Sequence, residues 1–228
     1  MPVATESVPA RLGAVAAAAP GAVLGAVLGA AALVRRTKPL HPQGNVGEGT
    51  LDITAPQREL GVPLLADPGS HRCTVRWSRA IGLPGSLPDF EGLAVRLEGA
   101  DGSPADVLFA STGTGAVSRF VLVPRASGTH GPQTTLLPVS AGGTSLVFRV
   151  TPASVPAEGL PGSFDLAVAT SGSSWTPVGT LNVEWGPDRP MRFDPVENLL
   201  PGTEQYPLVR VLREPAYFLA RRGSAART

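Results

Sequence analysis

The sequence predicts a mainly β protein: a closed antiparallel barrel of eight strands, with an apolar helix before it and a short helix after it. Three observations carry this reading. Glycine and proline number 27 and 24 among 228 residues, and both interrupt helices. From about residue 47 onward, short runs of Val, Leu, Ile and Phe recur, and several alternate with polar residues at the period of two of a half-buried strand. The runs number eight, enough to close a barrel and leave no free edge. A β-sandwich would give much the same pattern.

In order, the expected strands are Glu48–Thr54, Cys73–Ser78, Leu93–Glu98, Asp106–Ala110, Arg119–Val123, Ser145–Thr151, Phe164–Thr170 and Val178–Trp185. The alternation is cleanest where Val75 and Trp77 interleave with Arg76 and Ser78, and where Leu93, Val95 and Leu97 interleave with Ala94 and Arg96. Turn-forming Gly and Pro clusters separate the runs. Three segments result: an apolar arm over 1–37, the barrel over 38–205, and a C-terminal helix and tail over 206–228.

The arm holds an uncharged run of 23 residues, Leu12–Val34. At ~1.5 Å per helical residue it is long enough for a hydrocarbon core of ~30 Å. Arg35, Arg36 and Lys38 follow it, which would place the barrel on the cytoplasmic side of a membrane. Gly21, Gly25 and Gly29 fall on one helix face, where a second helix can approach closely. The run is mostly Ala and Gly and is interrupted by Pro20, so a soluble packed helix or a loose arm fits it too. The expected location is cytoplasmic, with membrane contact through residues 12–34 as the sharper option. At the other end, Glu214–Arg222 reads as a helix with Pro215 in its first turn, where the missing N–H costs little.

Charge excludes some partners. The formal net charge is +1, so there is no electrostatic case for nucleic acid. The lone Cys73 excludes an intrachain disulfide and a cysteine-rich zinc site. His71 and His130 lie in polar, turn-like stretches and read as surface residues.

Six stretches carry a resemblance. Lys38-Pro-Leu-His41-Pro-Gln-Gly44 leads into Gly47-Glu-Gly49-Thr50. Val75-Arg76-Trp77-Ser78 comes next, then Pro88-Asp-Phe-Glu-Gly92-Leu-Ala-Val-Arg96. Trp175-Thr-Pro-Val178-Gly179 and Arg192-Phe193-Asp194-Pro195 follow, and Arg213-Glu-Pro-Ala-Tyr217 closes the series. In this order they resemble the haem-dependent catalase superfamily: its histidine turn, its Val-Arg-Phe-Ser strand, its next strand, its Phe-Asp-Pro turn and its Arg-x-x-x-Tyr.

The resemblance implies haem b, held through iron by the Tyr217 phenolate, with Arg213 one helical turn away favouring the ionised form. It implies His41 as the acid–base residue on the opposite haem face, Ser78 as the group orienting it, and Arg76 and Lys38 as partners of the haem propionates. The substrate would be a peroxide or an organic or lipid hydroperoxide. The family's Gly-Asn-Asn run is replaced by Val107-Leu-Phe-Ala-Ser111-Thr112-Gly113, which puts full catalase turnover in doubt and leaves a small hydroxyl as the substitute donor.

Plainer readings stand beside these. Tyr217 and Phe218 serve equally as apolar anchors of a C-terminal helix, and the four arginines within Arg210–Arg222 as a solvated face. A barrel that keeps the fold without cofactor, as a membrane-tethered binding or scaffold module, is the main alternative. A phosphodiesterase-type hydrolase built on Ser78 and His41 is a minor one. The sequence gives no signal for oligomeric state.

Overall fold

The computed structural model describes residues 43–82, 87–99, 102–170, 172–207 and 209. The apolar run over 12–34, the expected helix over 214–222, and Lys38, His41, Arg213 and Tyr217 lie outside the described residues. The chain divides into two compact units, 1–39 and 40–228, and the second contains the barrel.

Ten strands form one antiparallel sheet: β1 (Gln43–Ile53), β2 (Gly69–Arg79), β3 (Glu91–Glu98), β4 (Pro104–Ser111), β5 (Gln133–Thr134), β6 (Val139–Ala141), β7 (Thr144–Pro152), β8 (Ser163–Thr170), β9 (Thr176–Trp185) and β10 (Glu204–Gln205). Eight of them close on themselves in the order β7-β5-β4-β3-β2-β1-β9-β8, with β8 pairing back onto β7. The barrel expected from the sequence is therefore present. β6 and β10 extend the sheet outward from β7. Three short 3-10 segments lie among the described residues, Arg58–Leu60, Pro63–Leu65 and Ser118–Phe120, and Pro207 and Val209 are helical.

Alternation decides which side chains point inward. Val75, Leu93, Val95, Phe148, Val150, Phe164, Leu166 and Leu181 are all buried in one apolar cluster. Their odd–even neighbours take the outer face, because successive strand residues point to opposite sides. Among the described residues, Leu51, Val95, Phe109 and Leu181 line an apolar cavity of about 20 Å³ in the interior. The wall closes tightly: a Cβ at Gly179 would lie 2.0 Å from the Asp52 carbonyl oxygen across the β1–β9 seam, so only glycine permits that approach.

One expected strand is absent. Arg119–Val123 carries Phe, Val and Leu, yet Phe120 and Val121 donate their N–H groups to Val117 and Ser118 in a 3-10 turn. Those amides are then lost to a ladder, and only an isolated bridge between Thr112 and Leu122 remains. Burial of Arg119, 3% exposed and stacked 4.5 Å from the centre of the Trp175 ring, holds the turn in place. Its place in the barrel is taken by β5, which bridges β4 and β7 with two residues.

Candidate functional site

The outward-pointing residues of β1 to β4 fall in rows that follow from register, and Val46, Ser78, Gly92 and Asp106 among them are buried. Gly44 stands opposite Ser78, Ser78 opposite Gly92, and Gly92 opposite Ala110. The next row is Val46, Arg76, Ala94 and Leu108, and the third is Glu48, Thr74, Arg96 and Asp106. At strand spacings of ~4.8 Å, four strands make a plateau ~14 Å across. Its first row holds nothing larger than a hydroxymethyl group. Gly44 cannot be exchanged: a Cβ there would lie 2.3 Å from the Trp77 carbonyl oxygen and 3.1 Å from the Arg76 guanidinium.

The expected site residues within the described chain are Arg76 and Ser78, and both lie on this plateau. Ser78 is 6% exposed. β1 begins at Gln43 and takes Gly44, expected in the histidine turn, into the ladder opposite Ser78. The Arg76 guanidinium, expected to hold a propionate, donates to a carboxylate of the chain itself. Its Nε reaches Asp188 Oδ1 at 3.2 Å and its Nη2 reaches Asp188 Oδ2 at 3.1 Å.

The small hydroxyl expected to replace an asparagine amide does not face the plateau. β4 turns Ala110 outward and Ser111 inward. Ser111 Oγ donates to the Val123 carbonyl at 2.7 Å and accepts from the Glu91 N–H at 3.1 Å. Thr112 Oγ1 donates to Thr134 Oγ1 at 3.0 Å, where both residues are buried. Burial requires these hydroxyls to be partnered inside the wall.

The third row carries an ionic hub that sequence reasoning missed. Asp106, with its side chain fully buried, accepts from Arg96 Nε at 2.7 Å and Arg96 Nη2 at 2.8 Å. It also accepts from the Asp194 N–H and from Asn198 Nδ2, both at 2.7 Å. Arg96 in turn donates to the Arg192 carbonyl at 2.6 Å and lies over the Phe193 ring. The hydrogen bond to Asp106 raises the Arg96 pKa further above its usual range. The hub ties the Arg192-Phe193-Asp194-Pro195 turn, and so the chain leading toward Tyr217, to the outer wall beside the plateau. Asp106 and Arg96 sit opposite each other in the β3–β4 register, but only a correct strand pairing makes that visible.

His130 is not a surface residue. Its side chain is 6% exposed, with Nδ1 2.7 Å from Glu91 Oε1 and Nε2 3.1 Å from the Gly159 carbonyl. Both ring nitrogens face acceptors, which only the imidazolium satisfies in full. The hydrogen bond to Glu91 accordingly raises the His130 pKa above its ordinary value, against the opposing effect of burial. His71 likewise lies within β2 and not in a turn. Burial pushes the Cys73 thiol up to about 12, helped by the negative charges of Glu48 and Asp52, so it is a structural residue and not a nucleophile.

No family model matches the chain, and no curated protein matches it in sequence. Its fold does match solved structures. A bacterial catalase superposes with a TM-score of 0.60 at 16% identity, covering 84% of this chain and 58% of that one. Catalase A from Saccharomyces cerevisiae gives 0.55 at 10% identity, covering 81% and 61%, and a fungal catalase gives 0.55 at 12%, covering 82% and 59%. The chain thus spans less than two thirds of the length of these catalases. The barrel is a catalase-like fold, as the ordered motifs of the sequence implied.

Proposed function

We propose that the protein binds haem on the outer plateau of its barrel and acts on organic or lipid hydroperoxides, with weak or absent turnover of hydrogen peroxide. The observation that supports this most is the row Gly44, Ser78, Gly92 and Ala110, with Arg76 beside it, on a barrel of the catalase-like fold. That surface fits a flat macrocycle bearing carboxylates: small side chains under the ring and a guanidinium fork at its margin.

Bound haem would supply the iron at which a peroxide O–O bond is broken. Tyr217 would ligate that iron as the phenolate, and Arg213 would stabilise its negative charge. His41 would take the proton from one peroxide oxygen and return it to the other, with Ser78 holding the imidazole in the needed tautomer. With Ala110 outward and Ser111 and Thr112 bonded within the wall, β4 offers methyl and methylene surface to a substrate and no amide donor. Such a wall suits an alkyl hydroperoxide better than hydrogen peroxide.

Reconstitution with haemin tests the reading. The expected result is a Soret band with a phenolate-ligated spectrum, lost in Tyr217→Phe, and faster turnover of cumene hydroperoxide than of hydrogen peroxide. A purified, folded protein that leaves the Soret band of added haemin unshifted from that of free haemin refutes it. One observation favours the second reading, a cofactor-free barrel serving as a binding module: Asp188 already fills the Arg76 fork. Failure of haemin to bind would leave that reading in place.

A further inference from the structure

The segment after β9 is strapped over the outer wall beside the plateau. The Gly186 N–H donates to the Val46 carbonyl at 2.8 Å, and Asn45 Nδ2 donates to the Gly186 carbonyl at 3.1 Å. Two residues on, Asp188 takes the Arg76 fork through both carboxylate oxygens. Arg189 then pairs with Glu48 on the third row. Each fastening lands on β1 or β2, and Val46, Arg76 and Glu48 all belong to the outer face. Pro187 and Pro190 flank the acidic residue and cannot join a ladder as donors, and residues 187–190 are exposed.

Asp188 and an incoming carboxylate compete where both would use the Nε–Nη2 edge of Arg76. A guanidinium edge presents two parallel N–H groups to one carboxylate, and a second carboxylate cannot occupy the same edge. The Arg76 side chain is 15% exposed and Asp188 35%, so the pair is half-desolvated but open to solvent on one side. A carboxylate arriving at Arg76 meets a fork edge already filled by Asp188, which lies on an exposed segment.

We propose that Asp188 is an internal competitor for Arg76: its carboxylate holds the Nε–Nη2 edge of the fork and is displaced from it by a carboxylate of an incoming ligand, a haem propionate. This rests on the haem reading above. The Gly186–Pro190 strap then opens as the ligand seats, and ligand affinity is set partly by how firmly Asp188 holds on. Asp188→Asn keeps the shape of the side chain and removes the competing charge.

The test is a double-mutant cycle on the full chain, read as the dissociation constant of haemin from Soret absorbance. Asp188→Asn should bind roughly fivefold tighter than wild type, the upper end for one partly exposed charged pair. In an Arg76→Leu background the same Asp188→Asn change should alter affinity by less than about twofold, because the competitor acts only through the fork. A shifted band seen only in Asp188→Asn would also support the competitor. Haemin binding in wild type with no tightening in Asp188→Asn, or an equal tightening in the Arg76→Leu background, overturns the competitor while leaving the haem reading intact. No shifted band in any of the four proteins removes both.

Discussion

Replacing Asp106 by alanine should detach the turn over 192–198 from the barrel wall and cost more stability than any surface ion pair. The fully buried carboxylate accepts four hydrogen bonds, two from Arg96 and one each from the Asp194 N–H and Asn198 Nδ2. Truncation strands a guanidinium whose side chain is only 25% exposed, together with a buried backbone donor. Breaking one side of a buried pair costs about 3–5 kcal/mol, and partial rehydration of Arg96 points to the lower half of that range. Asp106→Asn keeps the shape and some acceptors, so about 1.5–3 kcal/mol is expected, the value of hydrogen bonds to a charged group. Asp67→Ala is the control: its ion pair with Arg58 is 67% and 74% exposed and should contribute under ~1 kcal/mol. With a urea m-value of ~2 kcal/mol/M, a loss of ~4 kcal/mol moves the unfolding midpoint by ~2 M. Hydrogen exchange at the Asp194 amide should accelerate together with that shift. A midpoint change in Asp106→Ala no larger than in Asp67→Ala would refute the hub as the anchor of this turn.

Two further predictions concern buried titratable groups. The raised pKa of His130 means its pairing with Glu91 stabilises the fold fully below the unfolded value of ~6.5, and that contribution is lost as pH climbs through the folded value. The stability gap between wild type and His130→Gln, measured by urea unfolding, should therefore be widest near pH 6 and shrink toward pH 9; a constant gap would contradict the charged pair. Cys73, 5% exposed with its thiol at about 12, should react with a disulfide reagent at pH 8 only at the rate of global unfolding, and labelling within seconds of mixing would show the opposite.

Much of the barrel was legible in the sequence because its inner residues alternate in long runs. Val75 with Trp77, and Leu93 with Val95 and Leu97, announce both a strand and its inner face, and so place Arg76 and Ser78 on the outer one. The fifth wall position was not legible. Arg119–Val123 has strand-forming composition, but a buried arginine stacked on Trp175 draws it into a turn. Its replacement, Gln133–Thr134, is two residues long and too short to show a period. Polar pairing was harder still to read. Arg76 and Asp188 are separated by 112 positions, and His130 and Glu91 by 39, so no local pattern couples them. The small residues Gly92, Ala94 and Ala110 looked unremarkable in sequence and become a surface only when the β2–β3–β4 register lines them up with Ser78.

A crystal structure of the haemin-reconstituted protein tests most directly the idea that the outer wall of β1 to β4 is the ligand surface. The macrocycle should lie against Ser78, Gly92 and Ala94, with His41 and Tyr217 on its two faces and the Asp188 carboxylate moved off Arg76. Haem bound elsewhere, or the plateau covered by close-packed side chains with His41 and Tyr217 on separate surfaces, would contradict it.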